Sequence, residues 1–211
     1  MMPSMSRAER IFRASGVAPL GAFVLLHVLS YAEGVLLGRE PSSSGTLSGL
    51  PGLVLEIGLV LLPLSFHTGY GLLLLFRSAE ERARREPNAL LLVQRWSSPV
   101  VLLYLIDHLS RFRWPMLTGL AEPADARALL LRELSATTGG VPAVAAFHCL
   151  GVAAVAFHLG YGLYAFEWAK VPALAPARRR LWLGVLTGLF VLFLGSCSII
   201  ELATGKTFPF V

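Results

Sequence analysis

The sequence predicts an all-α membrane protein of five transmembrane helices, and three observations carry that prediction. Hydrophobic residues make up 55% of the 211 residues and charged ones only 15%, too apolar a balance for an ordinary soluble domain of this size. Five segments, at 15–37, 53–76, 93–112, 141–168 and 181–202, are long enough to cross a hydrocarbon core, which takes about 20 residues of helix. Lys and Arg gather in short clusters between these segments, twelve of the eighteen on alternate connections that begin with the N-terminus. The positive-inside rule therefore puts the N-terminus in the cytoplasm and the C-terminus outside. The whole chain, 1–211, reads as a single transmembrane domain.

Each span has its own reasons. Arg7, Arg10 and Arg13 before span 1 imitate a signal peptide, but four more spans follow, which makes it a retained first helix. Span 3 is the weakest. Its apolar stretch from Val100 to Ile106 lies between Arg95 and the group Asp107, Arg111 and Arg113, so it must draw on part of 88–96 to cross. The connection 38–52 is rich in Gly, Ser and Pro and reads as irregular. Within 113–140, the stretch 123–134 has the pattern of a short amphipathic helix on the outer surface. The net charge of +5 does not indicate nucleic acid, because the cations are dispersed between apolar runs rather than presented on one face. Cys149 and Cys197 form no Cys-x-x-Cys motif and read as packing residues.

Residues 66–72, Phe-His-Thr-Gly-Tyr-Gly-Leu, and 157–163, Phe-His-Leu-Gly-Tyr-Gly-Leu, differ at one position. Spans 2 and 4 run in the same direction, so spans 1–2 and 3–4 read as a parallel duplication. Five histidines lie inside spans: His27, His67, His108, His148 and His158. An ionisable side chain in hydrocarbon needs an interior position and a partner. At a rise of about 1.5 Å per residue, His67 and His158 share a level about 22–25 Å from the outer ends of their spans, while His27 and His108 lie nearer the outside. Two histidines from different helices at one depth suit a bis-histidine haem, which needs an axial nitrogen on each face. Zinc would want more ligands than either pair offers. Gly71 and Gly162 follow their histidines by four residues on the same face, where a missing side chain leaves room for a porphyrin or for close helix packing. His148 lies about 15 Å outward of His158 and about 80° around the helix, which suits a polar partner or a quinone-site role better than ligation.

Gly16-Val-Ala-Pro-Leu-Gly-Ala-Phe-Val-Leu-Leu-His27, Leu55-Glu-Ile-Gly-Leu-Val-Leu-Leu-Pro-Leu-Ser-Phe-His67-Thr-Gly-Tyr-Gly71, the Gln94-Arg95 opening of span 3 and the repeated motif of span 4 resemble one family. It is the dihaem cytochrome b membrane-anchor subunit of succinate dehydrogenase and fumarate reductase, of the five-helix type. The resemblance covers about Arg13 to Phe166 and implies that the first four helices form a haem-binding bundle. His67 and His158 would hold the inner of two b haems, and His27 and His108 the outer. It leaves His148 outside the pattern.

The resemblance also implies an electron-transfer subunit of a succinate:quinone oxidoreductase in the inner (cytoplasmic) membrane. A flavoprotein subunit with FAD and an iron–sulfur subunit would dock on its cytoplasmic face, and electrons would pass through both haems to a quinone, menaquinone in dihaem members. This chain carries no flavin fingerprint and no cysteine cluster, so succinate chemistry belongs to those partners. Glu56, eleven residues before His67, falls within about 20° of the His67 face and is the candidate for quinone protonation. Asp107 reads as an i,i+4 ion pair with Arg111. Arg13 and Arg95, at the cytoplasmic ends, are candidates for haem propionates or positive-inside anchors. The same ligation would serve the membrane subunit of a formate dehydrogenase or hydrogenase, and a haem-free transporter would use its histidines for protons or metals. One ligand on each of four successive helices favours the succinate:quinone oxidoreductase.

Overall fold

Ser6 starts the first helix by accepting a hydrogen bond from the Glu9 amide at 3.1 Å, the side-chain cap that a helix N-terminus needs. From there the computed structural model, which describes residues 6–37, 49–82, 89–122, 125–166 and 176–206, is helical nearly throughout. Five helices are long and apolar enough to cross a membrane: Arg7–Ala32, Leu53–Phe76, Ala89–Leu117, Ala143–Ala165 and Ala177–Thr204. They are spans 1 to 5 of an all-α, multi-pass membrane protein. Large apolar side chains stand exposed along them, among them Leu26, Leu62, Trp96, Leu103 and Leu186, as lipid-facing surface requires.

Proline shapes three of the spans. Pro19 interrupts span 1 after Ala18, where its missing N–H leaves the Ser15 carbonyl without the usual donor. Spans 2 and 3 each contain a five-residue π-helical turn, Ile57–Leu61 and Leu109–Arg113. Leu62 N–H donates to Ile57 O, and Trp114 N–H to Leu109 O; the next residue in each case is a proline, Pro63 or Pro115. A proline ring collides with the carbonyl four residues back, and a widened turn relieves that collision.

Span 3 is longer than the sequence suggests, running at both ends past 93–112. Arg111 and Arg113, which look like its outer boundary, lie inside the helix, and His108 is nine residues from its last residue, Leu117. That is about 14 Å, against the 5 Å obtained if the helix stops at residue 111. The short helix over Ala126–Ser135 is present, but its Leu129, Leu130 and Leu134 pack against Phe112, Ala145, Ile199 and Leu202. It closes the end of spans 3, 4 and 5 instead of lying free on the surface. Most of the connection 38–52 falls outside the described residues.

Spans 4 and 5 are the most buried helices; span 4 packs most extensively on span 5, then on span 3, while span 1 meets spans 2, 4 and 5. Small residues set the span 4–5 contact. A Cβ on Gly160 would come 2.6 Å from the Gly184 carbonyl oxygen, and one on Gly195 2.8 Å from Val152, so the two backbones touch without side chains between them. Gly205, at φ 69°, ends span 5 by returning its N–H to Glu201 O. Cys197 is buried in span 5, and Cys149 packs against the core around Phe112, Ala145 and Ile199. Gly160→Val should lower thermal stability in detergent by about 1–3 kcal/mol, whereas the same change at Gly69, which has nothing within 4 Å, should be nearly silent.

Candidate functional site

His67 of span 2 leans into span 1. Its ring stacks on Phe12 with centres 4.5 Å apart, and a Cβ on Gly16 would lie 2.6 Å from its Cε1, so only glycine fits there. Nδ1 is 3.1 Å from Phe12 O. A carbonyl can only accept, so Nδ1 carries the hydrogen and Nε2 keeps the lone pair. Ser15 Oγ, which donates to the same Phe12 carbonyl at 2.8 Å, lies 3.2 Å from Nδ1. Opposite, His158 of span 4 turns its Nδ1 toward span 3, 3.2 Å from Ser97 Oγ and 3.1 Å from the Gln94 side-chain amide. The two rings face one another with centres 6.3 Å apart and planes at 85°.

The second couple lies across spans 1 and 3. His27 and His108 have ring centres 5.9 Å apart and planes at 87°. His148 joins them from span 4, its ring 5.9 Å from that of His108, and it is 2% exposed. Its Nδ1 donates to Val144 O at 2.9 Å, while its Nε2 and the Nδ1 of His108 are buried without a hydrogen-bond partner among the described residues. Asp107, 3.9 Å from His148 Nε2, is bound by Arg111 at 2.8 and 2.9 Å. Arg111 also reaches Glu133 of the short helix at 3.2 Å.

Paired imidazoles at these distances have a chemical meaning. A ring nitrogen sits about 2 Å from a bound transition metal and about 1 Å from its own ring centre, so two trans imidazoles on one metal have centres about 6 Å apart. Both couples fit that spacing, and so do His108 and His148. Among the described residues no three His, Cys, Asp or Glu side chains converge as a bare ion would require.

The remaining residues are placed less uniformly. Gly71 and Gly162 are not forced to be glycine by protein packing: a Cβ on Gly71 would make ordinary contact with Phe12 at 3.6 Å, and one on Gly162 would meet nothing within 4 Å. Arg13 is paired within its helix to Glu9 at 2.9 Å, and Arg95 is half-buried beside the Gln94 that reaches His158. Glu56 belongs to neither couple. It forms a two-pronged ion pair with Arg113 of span 3, Nε to Oε1 at 2.7 Å with Nη2 on Oε2. The π turn at Ile57–Leu61 stands between Glu56 and His67, which corrects the shared-face estimate based on an unbroken α-helix. Arg113 lines an apolar groove of about 400 Å³ with Leu61, Leu109, Ser110, Trp114 and Leu117. Sequence reasoning missed Ser15, Ser97 and Arg113 because each acts across helices, and took Gly16 only as the start of a motif.

No family model matches the chain, and no solved structure does. Over 188 residues it is 26% identical to the succinate dehydrogenase cytochrome b558 subunit of Bacillus subtilis (strain 168), a match covering 87% of this chain and 89% of that one. Five apolar helices and a likeness over nearly the full length of both chains together fit a membrane-anchor cytochrome b.

Proposed function

We propose that the chain is the membrane-anchor and electron-transfer subunit of a succinate:quinone oxidoreductase, placed in the inner (cytoplasmic) membrane with its N-terminus on the cytoplasmic side. The observation that carries this is the pair of cross-helix histidine couples, with ring centres 6.3 and 5.9 Å apart, the spacing for two axially ligated b haems. A relative named as a succinate dehydrogenase cytochrome b subunit supports it. His67 and His158 hold the inner haem, and His27 and His108 the outer. When bound, the two haems supply one-electron carriers between an iron–sulfur protein and a quinone.

The rest follows from the chain's own residues. The flavoprotein and iron–sulfur subunits dock on the cytoplasmic face, since this chain has neither a flavin fingerprint nor a cysteine cluster. Arg13 and Arg95 lie near the inner couple and bind its haem's propionates, while Gly71 and Gly162 keep that region free of side chains. Menaquinone occupies the groove beside Arg113. Arg113 holds the Glu56 carboxylate there, and Glu56 delivers protons to the quinone as it is reduced. Paired to Arg113 at the protein–lipid boundary, Glu56 is oriented before quinone binds.

The test is a reduced-minus-oxidised spectrum of the purified complex, with succinate as reductant. Two b-type signals are expected; His67→Ala or His158→Ala should remove one and spare the other, and His27→Ala or His108→Ala should do the reverse. Absence of b bands in the wild-type complex, or haems that succinate leaves oxidised, would refute the assignment. Glu56→Gln should leave both haems reducible by succinate and lower quinone turnover about a hundredfold, within the usual range for a lost proton-transfer group.

A further inference from the structure

The two inner histidines are held in the same way by opposite halves of the protein. Among the described residues, Ser15 and Ser97 are the two buried hydroxyls outside span 5, each 8% exposed. Ser15 Oγ donates to Phe12 O, and Ser97 Oγ donates to Gln94 O, each at 2.8 Å and three residues back on its own helix. A hydroxyl has one hydrogen, and here the backbone takes it. What each serine turns to the neighbouring helix is lone-pair oxygen, 3.2 Å from Nδ1 of His67 or of His158.

We infer that Ser15 and Ser97 are positioning residues that fix both inner histidines as Nδ1–H tautomers, so that each presents the Nε2 lone pair to the iron. The inference rests on the haem reading above. Phe12 O requires the same tautomer of His67 independently, because it can only accept. At His158 the Gln94 side chain is a second polar neighbour of Nδ1. With its amide nitrogen toward Nδ1, Gln94 Oε1 is left buried and unpartnered. Turning the amide over gives Oε1 the Nδ1–H as donor, in exchange for the long bond from the amide nitrogen to His158 O at 3.4 Å. Phe12 O and Ser15 at His67, and Ser97 at His158, are the groups that require the Nδ1–H tautomer. An acceptor on the far nitrogen also makes an imidazole a more basic ligand, which favours the oxidised metal.

The experiment uses the intact complex in membranes, with Ser15 and Ser97 each changed to Thr, which keeps the hydroxyl, and to Val and Ala, which lack it. The readouts are haem content, a redox titration followed in the b bands, and the low-spin ferric EPR signals. Val and Ala variants should raise the midpoint potential of the inner haem, shift its EPR signal alone, and release that haem to apomyoglobin about tenfold faster. Thr variants should match wild type, and the outer haem should not change. If either apolar variant that assembles shows wild-type potentials and EPR signals in both haems, the tautomer role is refuted. If Thr variants deviate as far as Val variants, the serines serve packing alone and the inference also fails. A wild-type complex without b haem would instead overturn the functional reading itself.

Discussion

An imidazole buried in hydrocarbon brings two nitrogens that need partners, and water is not there to supply either. At His67 and His158 one nitrogen is committed to the neighbouring helix, to Phe12 O and Ser15 in one case and to Ser97 and Gln94 in the other. Those bonds set the rotation of each ring and leave the second nitrogen of each free, with the two ring centres 6.3 Å apart. Span 1 is thereby tied to span 2, and span 3 to span 4, through the residues that face the centre. The positions of Gly16 and Phe12 follow from the same need, one opening space for the His67 ring and the other covering its face.

The level of His27 and His108 is organised by charge and by proline. Pro63 and Pro115 each stand just beyond a π turn, and the two turns end at Leu61 and Arg113. An extra residue in a turn rotates everything beyond it around the helix axis. In span 3 the π turn begins directly after His108, so the same distortion that leaves this histidine facing His27 also directs Arg113 at Glu56. Arg111, two residues earlier, faces the opposite way toward Asp107 and Glu133. Two arginines that look like one basic boundary in the sequence therefore join two separate acidic partners on different helices.

Five spans were legible because length and apolarity alone decide them, and the nearness of the His67 ring to His158 and of the His27 ring to His108 was legible because a helix advances by a constant rise. The end of span 3 was not. Arg111 and Arg113 looked like a stop, yet both are neutralised by carboxylates of other segments, Glu133 and Glu56, whose proximity no local pattern reveals. The angular relation of Glu56 to His67 failed for a related reason: it assumed 3.6 residues per turn across a segment that Pro63 widens. The repeated motif was legible as a duplication, but not that its two copies have diverged in use. Gly160 presses on span 5, whereas the equivalent Gly69 touches nothing. The serines that bind the histidines from spans 1 and 3 carry no motif, since a serine in a helix is ordinary until its neighbour is known.

Span 5 carries no histidine and makes its principal contact with span 4, backbone against backbone at Gly160 and Gly184. Buried residues are concentrated in spans 4 and 5, while span 2 has none among those described. The packing is thus uneven, with spans 4 and 5 welded together and span 2 the sparsely packed helix, which meets span 4 at the His67 and His158 rings. A group bound between those imidazoles adds its binding free energy to the looser side, by RT ln(1 + [L]/Kd). On the proposed reading, the amount of closed protein in the membrane follows the supply of haem, and the welded pair is the part that waits for it.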